Sequence, residues 1–348
     1  SGHRRVLLGP DRSGGQSESM SLVVGVPRAL LFHEYGPLML ELLRQCGARA
    51  VLSPVTNKQI LEAGLETCVD EACLPVKAFF GHAVYLAQQV DALFVPRFVS
   101  VERGAYICPK LMGLPDTIRA RAPGAPRIID PCIDMSRGLG KTARSIAELA
   151  PALGVSGSRL AIALMRSMKA ASTNPDRRFD DGRTAAAGSG VRIGVLGHDY
   201  NLNDPYISLD LVSKIRRLGA APVTAGAYSH KETARWERQR ARSGAKRLFW
   251  TFGRRLLGAA YRWLDTGEVD GIVHLASFGC GPESFIAEVI QHEASERDSV
   301  PLMCVNIDEH SAEAGLSTRL EAFIDTVAMR KCEHANHLPT PWQPVDTR

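Results

Sequence analysis

Short apolar runs alternate along this chain with stretches in which apolar positions return every three or four residues. The first pattern predicts buried strands and the second amphipathic helices. Residues 22–26 (LVVGV) are predicted as a strand, 35–46 as a helix stopped by Gly47, and 50–52 as a second strand ended by Ser53 and Pro54. Asn57 caps a short helix that stops at Gly64; 75–90 are helical and 92–95 form a third strand. A helix over 110–121 and a strand over 127–129, ended by Asp130 and Pro131, complete this half. Such alternation signals a parallel sheet covered on both faces.

Residues 170–190 break the rhythm with a polar mixture (NPDRRFDDGRTAAAGSG), the composition of a linker or mobile loop. The rhythm then restarts. Strands are predicted over 191–195, 221–224, 271–275 and 302–307, and helices over 207–218, 283–294 and 313–329. The two openings rhyme, VVGVPRALLFHEYGPL against RIGVLGHDYNLNDPYI. The expected organisation is two similar open α/β domains, over 20–168 and 191–332. Residues 169–190 would link them, a helical hairpin would be inserted around 231–264, and 333–348 would form a tail. Residues 1–19, rich in Gly, Ser and Arg, read as a disordered leader or expression remnant, with Met20 as the natural start. In open parallel sheets ligands bind beyond the carboxyl ends of the strands, so the cleft between the domains is the expected site.

Composition narrows the function. The 348 residues suit two domains of ordinary size. Lys and Arg number 42 against 37 Asp and Glu, and a net charge of +5 is too mild to argue for nucleic acid. No run of about 18 apolar residues occurs, which excludes a transmembrane helix. Arg4 and Arg5 are followed by Val6, Leu7 and Leu8 alone, too little for a signal-peptide core. Eight cysteines without such a signal point to the reducing cytoplasm, where thiols stay reduced, and raise the question of which of them bind metal.

Several motifs lead nowhere. Gly138-Leu-Gly-Lys-Thr142 resembles the end of a phosphate-binding loop, but Met135 stands where that pattern needs glycine. Gly188-Ser-Gly190 precedes a strand instead of following one. The segment 235–262 is rich in arginine with interleaved aromatics, which suits an amphipathic hairpin whose arginines face solvent, an acidic partner or a phosphorylated ligand. Cys332, His334 and His337 read as chance neighbours in the tail.

Three cysteines share one context: EACLPVK around Cys73, YICPK around Cys108 and SFGCGPES around Cys280. Each stands just before a proline that opens a predicted helix, where the missing proline N–H costs nothing. There a thiol meets unpaired backbone N–H groups and the positive end of the helix dipole, which lower its pKa and can donate to cluster sulfides. Gly279 and Gly281 leave room for an inorganic core. Three thiolates from two domains with an open fourth position suit a [4Fe-4S] cluster that binds substrate as well as passing electrons. Cys68 and Cys132 are candidate additional ligands; Cys46 and Cys304 belong to the core. Structural zinc is the weaker fit because paired C-x-x-C ligands are absent, and no His/Asn arrangement for a nucleophilic cysteine is legible.

At these motifs, with SPVTNKQILEAGL, VPRFVSVERGAYICPKLMGLPD and IDEHSAEAGLSTRLEAF, the chain resembles the acyl-CoA dehydratase activase-related proteins. These form a branch of the 2-hydroxyacyl-CoA dehydratase, benzoyl-CoA reductase and double-cubane-cluster superfamily, and the resemblance runs over about 22–330. It implies two flavodoxin-like (Rossmann-like) domains with an oxygen-sensitive iron–sulfur cluster between them, held by Cys73, Cys108 and Cys280. With Cys68 and Cys132 a double-cubane [8Fe-9S] core comes within reach. It also implies a homodimer or a heterodimer with a related subunit, a small-molecule or acyl-CoA substrate, and a separate ATP-hydrolysing activator that supplies low-potential electrons. The expected role is thus a reductase or dehydratase (lyase) component dependent on that activator. A non-catalytic electron carrier and a zinc-stabilised α/β binding protein are the alternatives. His198, Asp199, Glu309 and His310 are candidate acid/base or substrate contacts, and Arg28, Arg97 and Lys110 candidate anion contacts.

Overall fold

The computed structural model describes residues 7–8, 21–122, 124–136, 138–173, 190–242, 247–296 and 300–336. One sheet comprises β1 (Leu7–Leu8), β2 (Val23–Val26), β3 (Arg49–Leu52), β4 (Ala92–Phe94) and β6 (Arg127–Ile129), in the order β1-β3-β2-β4-β6. It is parallel except for β1, which runs antiparallel to β3. A second sheet, parallel throughout, comprises β8 (Arg192–Leu196), β9 (Ala221–Thr224), β10 (Gly271–Ser277) and β11 (Leu302–Ile307), in the order β11-β10-β8-β9. Numbered along the chain within each half, the parallel strands of both run second, first, third, fourth. The two rhyming openings are therefore equivalent first strands. Every residue of β10 is buried, as a strand covered on both faces requires.

Prolines shape the rim of the first sheet. The parallel pair β5 (Arg97–Ser100) and β7 (Cys132–Asp134) continues β4 and β6 beyond Pro96 and Pro131. Neither proline can donate to the ladder, so each strand is interrupted there. The bonds Val95 N–H to Ile129 O (3.0 Å) and Arg97 N–H to Pro131 O (2.9 Å) carry the pairing across the break.

The helices of the first half are α1 (Phe32–Gln45), α2 (Lys58–Thr67), α3 (Leu74–Ala87), α4 (Pro109–Met112), α5 (Leu114–Arg121), α6 (Gly140–Ala147), α7 (Leu149–Ala152) and α8 (Gly157–Thr173). Those of the second are α9 (Asp199–Leu202), α10 (Leu211–Arg217), α11 (His230–Arg242), α12 (Thr251–Thr266), α13 (Gly281–Ser295) and α14 (Glu313–Asn336). Asn57 caps α2 by accepting the Ile60 N–H at 3.1 Å. The helix expected over 110–121 is two, broken at Gly113. That expected over 207–218 starts only at Leu211, because Asp204 Oδ1 takes the Tyr206 and Ile207 amides at 3.0 and 3.2 Å and Leu209 and Asp210 are left-handed. α8 carries regular structure into the segment read as a linker, and 174–189 lie outside the described residues. Of the leader, Leu7–Leu8 is described, as an edge strand. Cys332 lies in α14, while His337 is not among the described residues.

Helix α3 is the spine of the molecule. It is apolar almost all round, and 11 of its residues are buried. Phe79, Phe80 and Leu86 join the core of the first sheet; Leu74 and Ala78, with Leu61 of α2, join Ile193, Leu202 and Leu211 of the second half. α2 crosses α3 at backbone contact. A Cβ on Gly81 would lie 1.7 Å from the Ile60 carbonyl oxygen, and one on Gly64 would lie 2.0 Å from that of Lys77.

His82 of α3 is fully buried between Ser53 Oγ (2.9 Å) and Thr56 Oγ1 (3.0 Å), and the Thr56 hydroxyl donates to Asp204 of the second half. Burial holds the His82 pKa down to about 3 and that of His33 to about 4. In the unfolded chain both titrate near 6.5. Between about pH 6.5 and 4 the unfolded state therefore binds more protons, and stability falls with pH. The expected loss is on the order of 1 kcal/mol per pH unit per histidine across that window. Urea unfolding at pH 7, 6 and 5 should show it, with a shallower slope in His82→Gln; an unchanged slope in the variant would remove His82 from the account.

No single described helix is long and apolar enough to cross a membrane.

Candidate functional site

Helices α3, α4 and α13 each start with a proline in the first turn, and the residue before each is a cysteine: Cys73, Cys108 and Cys280. Two come from the first half and one from the loop after β10. The structure brings their loops together. Gly279, at φ +76°, turns the chain so that a Cβ there would lie 3.6 Å from Glu71 O and 3.9 Å from Cys73 Cα. Lys110, two residues past Cys108, donates from Nζ to Glu71 O at 2.8 Å and to Gly279 O at 3.1 Å, lacing all three loops. Cys73 and Cys280 are close enough to feel each other and Cys108 electrostatically. Both are nearly buried, 3% and 6% exposed; Cys108 is half-buried, and all three are free thiols.

The Cys73 and Cys280 thiols are not acidic, contrary to the expectation from the helix dipole. Burial pushes Cys73 up to about 11. Burial and then the Glu283 carboxylate push Cys280 higher still. Desolvation of a buried thiolate outweighs the helix end here. The two buried thiols, Cys73 and Cys280, become thiolates together where a cation replaces their protons, and metal binding would release those protons.

Around Cys280 lies a second set of polar groups. Glu283, fully buried in the first turn of α13, accepts the amides of His198 (3.0 Å) and Ser277 (3.1 Å) and Asn201 Nδ2 (3.4 Å). It thereby joins the loop after β8 to the start of α13. Donor atoms of His198, Cys280 and Glu283 all lie within 4.8 Å of one another. The His198 ring packs on Tyr200 (centroids 4.9 Å apart) and edge-on to Phe252 (5.9 Å). Tyr200 is buried, and its hydroxyl is held well above the usual range by burial and by Cys280 and Glu283.

Beyond His198 and Phe252 opens a cavity of about 690 Å³, lined also by Tyr35, Ser208, Thr251 and Arg255. Two of its arginines are engaged with acids of the chain: Arg255 binds Glu34 at 2.8 Å and Arg254 reaches Glu102 at 3.6 Å. The same holds along the basic hairpin, where Arg240 meets Glu293, Arg247 meets Glu237 at 2.9 Å and Arg262 meets Glu268 at 2.7 Å. Its Trp263 is fully buried.

The remaining candidates are scattered. Cys68 is buried at the end of α2, within electrostatic reach of Lys77 and Lys110; Cys132 opens β7 among Asp134, Arg97 and Lys141. Glu309 is bound by Lys77 at 2.6 Å, His310 is exposed, and Asp199 opens α9 beside the cavity. Arg97 is held by Asp116 at 2.7 Å and Asp130 at 3.3 Å, and half-buried Arg28 faces Asp204. Thr142, in the segment resembling a phosphate loop, exchanges hydrogen bonds with the Asp134 backbone and braces β7. Glu283 and Tyr200 are not legible as site residues from sequence, and Phe252 is legible only as one of the aromatics interleaved in the basic hairpin. The only sequence signal for Glu283 is its place in the first helical turn after Cys280, where an acid ordinarily serves the helix dipole.

A family model described as "CoA enzyme activase uncharacterised domain (DUF2229)" matches residues 23–227, which include Cys73 and Cys108 and stop short of Cys280. No curated protein matches. Two solved structures of the SBP FpvC from Pseudomonas aeruginosa, in complex with Ni2+ and with Mn2+, align at 12% and 13% identity. They cover 89% of this chain and 98% and 99% of theirs, with TM-scores of 0.28 and 0.26, a likeness too slight to bear on fold or ligand.

Proposed function

The chain belongs to the CoA enzyme activase domain family, and from that premise we propose that it is the iron–sulfur-binding component of an ATP-dependent, low-potential reductase or dehydratase system. The observation that carries this reading is the meeting of Cys73, Cys108 and Cys280 at three proline-opened helix starts. The donor set fits the group: three free thiols, with a glycine on each side of Cys280, would hold three irons of a cuboidal iron–sulfur core and leave the fourth open. Such a cluster supplies one-electron transfer at low potential.

The chain's own residues do the rest. Lys110 holds the three loops in register, Glu283 fixes the start of α13 against the loop after β8, and α3 with α13 keeps water from Cys73 and Cys280. The cavity behind His198 and Phe252 is where a small molecule, such as an acyl-CoA, would approach. The reading includes a related partner subunit and a separate ATP-hydrolysing electron donor.

Anaerobic reconstitution with iron and sulfide tests it. The expected result is a brown protein with about four irons and four sulfides per chain. Fewer than about three irons would reject a cubane, and a colourless preparation holding zinc would replace it with a structural metal.

A further inference from the structure

We propose that His198 is a protein ligand of the metal centre held by Cys73, Cys108 and Cys280, closing the position that three thiolates leave open. The inference rests on the reading above and deepens it.

Two independent observations lead here. The first is proximity: a His198 ring nitrogen lies within 4.8 Å of both Cys280 Sγ and a Glu283 oxygen. The second is an orphaned atom. His198 is 95% buried, given its 5% exposure, and its Nδ1 has no hydrogen-bond partner among the described residues. A buried, unsatisfied polar nitrogen is destabilising, and one retained in a native fold calls for a partner from outside the polypeptide, such as a metal ion. A neutral imidazole offers one lone pair, the donor that iron and zinc accept.

The surroundings hold the ring for that purpose. The His198 amide is fixed by Glu283, and its ring is clamped by Tyr200 and Phe252. Glu283 is the poorer ligand of the two, because its oxygens already accept three N–H groups. The ring also lines the cavity. A small molecule entering from that side meets the imidazole before it meets any of the three thiols, so displacing His198 is the route by which a ligand would reach the metal.

The test uses the full chain, labelled with 15N-histidine, reconstituted anaerobically, reduced, and examined by pulsed EPR alongside iron analysis. His198→Phe keeps an aromatic ring in the clamp, and His310→Phe, at an exposed site, serves as control. About four irons per chain with a histidine-nitrogen coupling that vanishes in His198→Phe supports the proposal. Full iron without that coupling, or with the coupling retained in His198→Phe, overturns it while leaving the cluster reading intact. A single bound metal ion whose nitrogen signal is lost in His198→Phe supports His198 as a ligand and overturns the cluster. Metal-free protein overturns both. His198→Cys adds a readout that a merely structural residue would not move: thiolate in place of imidazole should retain the iron and lower the reduction potential.

Discussion

Serine in place of Cys280 is expected to lower reconstituted iron from about four to below one per chain, with the fold retained. Cys280 is the one member of the trio contributed by the second half, and α13 follows it directly. Serine matches it in size, so the start of α13 is preserved. A hydroxyl at a 6% exposed position costs on the order of 1–2 kcal/mol if unpaired, which a chain of this size tolerates. Cys73→Ser and Cys108→Ser should lose iron as fully, whereas Cys304→Ser, in strand β11, should lose none. Iron analysis with far-UV circular dichroism separates loss of ligand from loss of fold. Full iron in all three serine variants would dismiss the trio.

Gly81→Ala should be more damaging than any single serine. Its Cβ would be placed 1.7 Å from a carbonyl oxygen of α2, and the obstacle is backbone, with no side chain to swing aside. The two helices must separate, so a cost of at least about 3 kcal/mol is expected, at the upper end of overpacking in a close-packed core. That corresponds to a fall in Tm of roughly 4–5 °C for a chain of this length. Because α3 begins one residue after Cys73, the same displacement should also reduce iron occupancy in whatever material folds. Thermal melts with and without reconstitution would measure both effects; an unchanged Tm would mean the helices have slack that their contact denies.

Much of this was legible before any coordinates. The strand–helix alternation located the eight principal parallel strands within a residue or two, because runs such as LVVGV and GIVHL are covered on both faces and carry no competing period. The three Cys-Pro contexts were legible because proline marks a helix start from sequence alone. Elsewhere, tertiary contacts set the local conformation. Asp204 delays α10 by taking amides that propensity would have given to a helix. Residues 140–173 are polar enough on one face to escape notice, yet fold as three helices. Glu283 reads as an ordinary first-turn acid, and only the packing of β8 against β10 makes it a buried hub. The Cys73 and Cys280 pKa values went the opposite way from the dipole argument because burial depends on the other half of the chain.

The double burial of α3 has a consequence for how this protein can be inherited. A gene fragment ending near the close of α8 would encode a sheet with its crossovers, yet its product would carry Leu61, Leu74 and Ala78 bare to water. Such a fragment would be sticky, and it would lack Cys280. Recombination that keeps one half and swaps the other must supply a matching apolar mate for these residues.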